Sequence, residues 1–335
     1  MALERRERVA VLKPIAPEAR GLPAVADWQE LARPIHLAAY SADKALARFD
    51  AGKADLVLGG TLRDFPLANR TGLARAALRM DAVVGLFGLL VTRQDGFLAS
   101  VDNREALAMA LDRDGLIAPF GISGWVPTTR MVTPGVEGDT GAVTERWDNL
   151  SLAQRQAEAA RRVRGWQAAR AVTTPVATTP AATTHAVTAQ RLVLRVALPD
   201  GTGSDQLFAR LVKQLAVVGL GLKRVGEDEP ADLRLIDQVA RYPRATWFLN
   251  QLSCAALKGP CSPQADLLVA QARSTVEPAG RALLLAEAEG RLADANVFVP
   301  FGAPVRWSLV AGGVSGFSVN RWGYHPLMPL ALRTK

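Results

Sequence analysis

Residues 192–236 read LVLRVALPDGTGSDQLFARLVKQLAVVGLGLKRVGEDEPADLRLI, and the alternation in this run sets the fold class. Residues 192–198 have the length and apolar character of a strand, and Asp200-Gly201-Thr202-Gly203-Ser204 reads as a turn. Leu207, Leu211, Leu215 and Val218 then recur on one face at helical spacing. Residues 219–225 return as a second strand and 233–236 follow as a third. A strand, helix, strand run of this kind predicts parallel strands joined by a right-handed crossover, hence an α/β fold. A Gly-rich turn feeding a helix can cradle phosphate on its backbone N–H groups. This one lacks the lysine of a P-loop and the third glycine of a dinucleotide fingerprint. It therefore reads as a simple turn, with Ser204 as the helix cap.

Upstream the same alternation continues. Residues 9–12 and 35–39 are short apolar strands, and 42–49 form a helix with Gly52 where a glycine would end it. Residues 56–58 are expected as a buried strand, and 82–91, the longest apolar run, as another. Asp102 with Glu105 three residues later predicts a capping box, leading Ala106, Leu107, Ala110 and Leu111 on one helical face. Downstream, 265–273 and 278–293 read as helices, and 297–301 as a strand before the apolar 307–310 and a turn-rich tail. Between 171 and 189 the character changes to tandem Thr-Thr-Pro-type repeats, which predict a linker or surface loop. His185 takes a proline's place there, with nothing to mark it as a ligand.

Composition removes several function classes. The 335 residues carry 40 basic and 32 acidic side chains, a net charge of +8. The basic residues are spread along the chain and aromatics are scarce, which argues against nucleic acid. No stretch approaches the roughly 20 apolar residues that span a bilayer. The first residues lack the apolar core of a secretory signal, so a chain starting here is expected to remain in the cytoplasm. No nucleophile elbow, His-Glu-x-x-His or Cys-x-x-Cys is present, and His36, His185 and His325 are the full complement of histidine. His325, between Tyr324 and Pro326, reads as structural. The expectation is a protein without catalysis, metal or cofactor. Cys254 and Cys261 flank a Gly259-Pro260 turn and read as a small-loop disulfide, implying an oxidising compartment, or else as two unrelated buried thiols.

Several segments, in order, resemble the family 5 extracellular solute-binding proteins, the peptide/nickel-type substrate-binding subunits of ABC importers. They are ARFDAGKADL at 47–56, NREALAMALDR at 103–113, 215–225, the stretch from 231 to 249, RALLLAEAEGRLADANVFVP at 281–300, and 313–330. The second is the most specific. The resemblance implies a periplasmic-binding-protein-like type II α/β fold, two lobes joined by crossing strands, with the N-terminal part of the family fold lying before this sequence. Residues 1–82 and 299–335 would belong to lobe I and 83–298 to lobe II, with 82–91 and 297–301 as the crossing strands. It implies capture of a peptide or related small solute by lobe closure, an ABC permease as partner, a monomer, and a periplasmic location at odds with the absent signal. The loops after Val91 and Ile236 are the expected binding loops.

One departure bears on the solute. Peptide-binding relatives carry acidic residues where this chain has Arg241-Tyr242-Pro243-Arg244. A guanidinium repels an ammonium and suits a carboxylate or phosphate. Arg241, Tyr242, Arg244 and Trp247, the last as a flat apolar wall, are therefore the expected ligand contacts, for a solute that is anionic or lacks a free amine. The alternative, weighed equally, is that both arginines face solvent. A second functional reading is a non-transport regulatory or interaction domain that keeps the solute-binding fold, such as a regulator's ligand-sensing part.

Overall fold

In the computed structural model the described residues are 2–6, 9–69, 76–141, 143–173, 192–257 and 259–332. From the N-terminus the chain forms β1 (Ala2–Arg6), β2 (Val9–Lys13), β3 (Ile35–Ala38), α1 (Ala42–Asp50), β4 (Leu56–Thr61) and β5 (Leu78–Asp81). It continues through β6 (Gly85–Val91), α2 (Val101–Ala110), α3 (Arg113–Ile117) and α4 (Leu152–Thr173). Then come β7 (Val193–Ala197), α5 (Thr202–Val217), β8 (Gly221–Val225), β9 (Leu233–Val239) and α6 (Ala245–Gln251). They are followed by α7 (Pro263–Ser274), α8 (Pro278–Ala295), β10 (Phe298–Gly302) and β11 (Arg306–Val310), and a short helical turn at Leu327–Leu330 lies in the tail. Two units divide this path: Met1–Val83 with Val305–Lys335, and Val84–Pro304.

The first unit holds two three-stranded antiparallel sheets, ordered β1-β2-β3 and β4-β11-β5. Leu46 and Phe49 of α1 are buried, and Gly52 follows the helix at φ +66°. Residues 56–58 form a strand as expected but are only half-buried, because β4 is an edge of its sheet. Asp81 binds the tail: it accepts the backbone N–H of Asn320 at 2.9 Å and faces His325 Nε2 at 3.0 Å, while Phe317 stacks on the imidazole. His325 is thus structural.

The second unit is built on a five-stranded sheet ordered β10-β6-β9-β7-β8. β7 runs parallel to both β8 and β9, as the 192–236 pattern requires, and β6 is antiparallel to β9 and β10. Successive residues of β6 are buried, so both of its faces are covered, which is why its sequence, GLFGLLV, is apolar throughout instead of alternating. Leu207, Leu211 and Leu215 bury one face of α5. That helix stops because Gly219 takes φ +85°, letting Leu220 N–H reach the Leu215 carbonyl at 3.0 Å. Its start differs from the sequence reading. Thr202 already opens the helix after Gly201, so Ser204 is a buried residue of the first turn and not the cap.

α2 also departs from expectation. Its N-cap position is Ser100, not Asp102, and residues 103–110 are buried on every face. Glu105 makes no capping box; it pairs with Arg146 at 2.6 Å and Arg162 of α4 at 2.7 Å. Arg104 donates to Leu98 and Ala99 carbonyls and, through Nε, to Ala295 at the end of α8, where a cation complements exposed helix carbonyls. The expected linker lies outside the described residues beyond Thr173, where α4 ends.

Cys254 and Cys261 are joined in a disulfide, with Cα atoms 5.0 Å apart, between α6 and α7. Closing so short a loop restricts the unfolded chain by about 2 kcal/mol. Cys254→Ser with Cys261→Ser is therefore expected to lower stability by about that amount in chemical denaturation. Dithiothreitol should reproduce the loss in the parent and leave the variant unchanged.

Candidate functional site

The chain that leaves α3 turns at Gly121 and Gly124 and lays residues 124–134 against the ends of β6 and β10. Between these elements lies a cavity of about 220 Å³, contained within the second unit. Its walls are mostly apolar: Leu86 and Phe87 from β6, Trp125, Pro127 and Met131 from the loop, and Phe298 and Pro300 from β10. Phe87 anchors them, its ring 5.7 Å from Trp125 and 6.0 Å from Phe301. Trp125 Nε1 donates to the Ala303 carbonyl at 2.8 Å, and Thr128 N–H to Phe301 at 3.1 Å. A Cβ at Gly302 would fall 2.9 Å from Trp125 Nε1, so only glycine lets the indole sit this close to the strand.

The polar wall is Thr128, Arg130 and Thr133. Arg130 is fixed by Asp139 and by Glu289 of α8, both at 2.6 Å. Burial favours its neutral form, but its bonds to these two carboxylates hold its pKa above the ordinary arginine value. Its Nε has no partner among the described residues. Arg130 thus brings a fixed positive charge to the polar wall of a cavity that is otherwise mostly apolar.

The residues expected from sequence fall elsewhere. Arg241 and Tyr242 are exposed in the turn after β9. Arg244 is also exposed and pairs with Glu137 at 2.9 Å, so its charge is largely answered within the protein. Trp247 is 4% exposed and stands edge-on to Phe248 in the core beneath α7 and α8, where it presents no open face. Arg241, Tyr242 and Arg244 thus share one turn, and Trp247 is separated from it by burial. The cavity residues Phe87, Trp125 and Arg130 were not singled out by sequence. The one local signal was a tryptophan in a run rich in Gly and Pro. Among the described residues no group of His, Cys, Asp and Glu is arranged to hold a metal, and no helix is long and apolar enough to cross a membrane.

No protein-family model and no curated protein matches the chain. Solved structures do share its fold. Haemophilus influenzae OppA, in complex with RPPGFSPFR, aligns with a TM-score of 0.75 at 17% identity, covering 98% of this chain and 63% of that one. The Escherichia coli murein tripeptide binding protein MppA gives 0.74 at 15% identity, covering 98% and 63%. Brucella suis NikA, in complex with Fe(III)-EDTA, gives 0.65 at 17% identity, covering 90% and 62%. The chain spans less than two thirds of the length of each. Its α/β fold is that of these binding proteins, as the sequence resemblance implies.

Proposed function

We propose that this chain is a solute-binding component of an ABC importer, of the family 5 type, capturing a peptide or related small solute by lobe closure. The observation that carries the reading is the likeness of fold over 98% of the chain to proteins whose names describe peptide capture. The ordered sequence segments and the aromatic cavity with its fixed positive charge support it. Binding without chemistry, a permease partner, a monomeric state and a periplasmic site of action belong to the same proposal.

The finer part concerns charge. Arg241, beside Tyr242 and Arg244, is proposed to favour a solute that is anionic, or lacks a free amine, at that point. Trp247 is buried and the charge of Arg244 is met by Glu137, which leaves Arg241 and Tyr242 as the members of the set that carry this proposal.

Calorimetric titration of dipeptides against their N-acetylated forms tests both levels. The expected result is saturable binding at one site, equal or tighter for the acetylated form, and weakened at least about tenfold by Trp125→Ala, a loss of ~1.4 kcal/mol. A clear preference for the free amine overturns the charge reading alone. Binding unaffected by Trp125→Ala removes the aromatic cavity from the site.

A further inference from the structure

A second cavity, of about 430 Å³, lies in the same unit where the start of α3, the first turns of α4 and residues 127–129 and 147–150 meet. Three of its side chains form one stack. The guanidinium carbons of Arg113 and Arg155 lie 5.5 and 4.9 Å from the centroid of the Trp147 ring. Arg113 is 6% exposed and Trp147 4%. Arg113 Nε donates to the Pro300 carbonyl at 2.8 Å and Nη1 to Ala108 at 3.4 Å, while Nη2 has no partner among the described residues. Trp147 Nε1 and Arg155 Nε are likewise without one.

All three orphaned groups are donors. Three buried N–H donors left unanswered are costly, and an acceptor in the cavity would relieve them. The charges nearby do not supply it. Asp112 is used as the cap of α3, accepting Gly115 N–H at 3.0 Å. Asp114 and Asp148 are exposed at the wall, where water screens them. Glu145 acts on Arg113 through space, yet burial raises its own pKa to about 7, so at neutral pH it is only a partial counter-charge.

We infer that this cavity binds a small oxyanion, carboxylate or phosphate, between the guanidinium groups of Arg113 and Arg155 and the indole N–H of Trp147. The site is independent of the solute reading above, although Pro127 and Thr128 line both cavities. Guanidinium groups stacked on an indole are held planar and pre-aimed, the arrangement that favours planar or tetrahedral oxyanions over chloride.

The test is calorimetric titration of the full chain, in chloride buffer at constant ionic strength, with inorganic phosphate in one arm and acetate in the other. Saturable one-to-one binding in at least one arm is expected, and the arm that binds identifies the oxyanion. Trp147→Phe removes one donor and keeps the ring; Arg155→Gln removes a charge on the more exposed side. Each is expected to weaken binding about tenfold or more. Arg321→Gln, in the other unit, should leave it unchanged. Absence of saturable binding in both arms overturns the inference, and so does equal binding by the parent and Arg155→Gln, since a scattered surface ion would give that result.

Discussion

Glu289→Ala is expected to destabilise the second unit by about 3–5 kcal/mol, the usual cost of removing one member of a buried charged network. Glu289 is 1% exposed. One carboxylate oxygen accepts the backbone N–H groups of Met131 and Val132, at 3.0 and 2.9 Å, and the other accepts Arg130 at 2.6 Å. Alanine would leave two buried N–H donors and a guanidinium without this partner, while Asp139 alone continued to hold Arg130. Because those groups fix the loop that carries Trp125, the loss should appear in solute affinity as well as in the urea midpoint. Asp139 adds a pH signature. Burial raises its pKa, but the bond from Arg130 and the N–H groups of Gly135 and Gly141 bring it below the ordinary 3.8. A depressed folded-state pKa stabilises fully above that ordinary value, and the contribution is lost as pH falls below it through the depressed folded-state pKa. Unfolding that is unchanged by Glu289→Ala would show that the network does not hold the loop.

Glu145→Gln should have the opposite sign and a different pH range. Burial, with Glu105 and Asp148 nearby, outweighs the opposing pull of Arg113 and raises the Glu145 pKa from 4.5 to about 7. The folded protein therefore holds a proton that the unfolded chain releases between those values. Below about pH 4.5 the carboxyl is neutral in both states and costs nothing. As pH rises to 7 the folded state is progressively penalised, and above 7 the penalty is complete. Each tenfold change in proton affinity is worth ~1.4 kcal/mol, so the complete penalty is about 3 kcal/mol. Glutamine imitates the protonated form, so the variant is expected to gain up to about 3 kcal/mol at pH 8.5 and nothing at pH 4, measured by urea denaturation at both. An equal effect at the two pH values would contradict the assignment.

The 192–236 run was legible because its pattern is local: short strands with buried Leu194, Val196, Val225 and Leu233 flank a helix whose Leu207, Leu211 and Leu215 repeat at helical spacing. The resemblance segment 103–113 was legible for another reason. Its polar residues do structural work: Asn103 and Arg104 bind preceding carbonyls, Glu105 ties α4, Asp112 caps α3 and Arg113 reaches β10. That burial also explains the capping error. A Glu three residues after an Asp imitates a capping box, and only tertiary contacts show the carboxylate turned toward Arg146 and Arg162. The cavity residues were harder to find. Phe87, Trp125 and Arg130 lie far apart from Phe298 and Glu289 in sequence and share no period, and long-range packing alone brings them together. Trp247 was misleading because an aromatic next to a basic turn looks the same in sequence whether its ring lines a surface or fills a core.

Native mass spectrometry of the chain mixed with a library of short peptides and their N-acetylated forms is the most direct test of solute capture. The account predicts discrete one-to-one complexes with a subset of the library, depleted in the Trp125→Ala protein. A chain that unfolds cooperatively yet retains only its own mass across the whole library would contradict it.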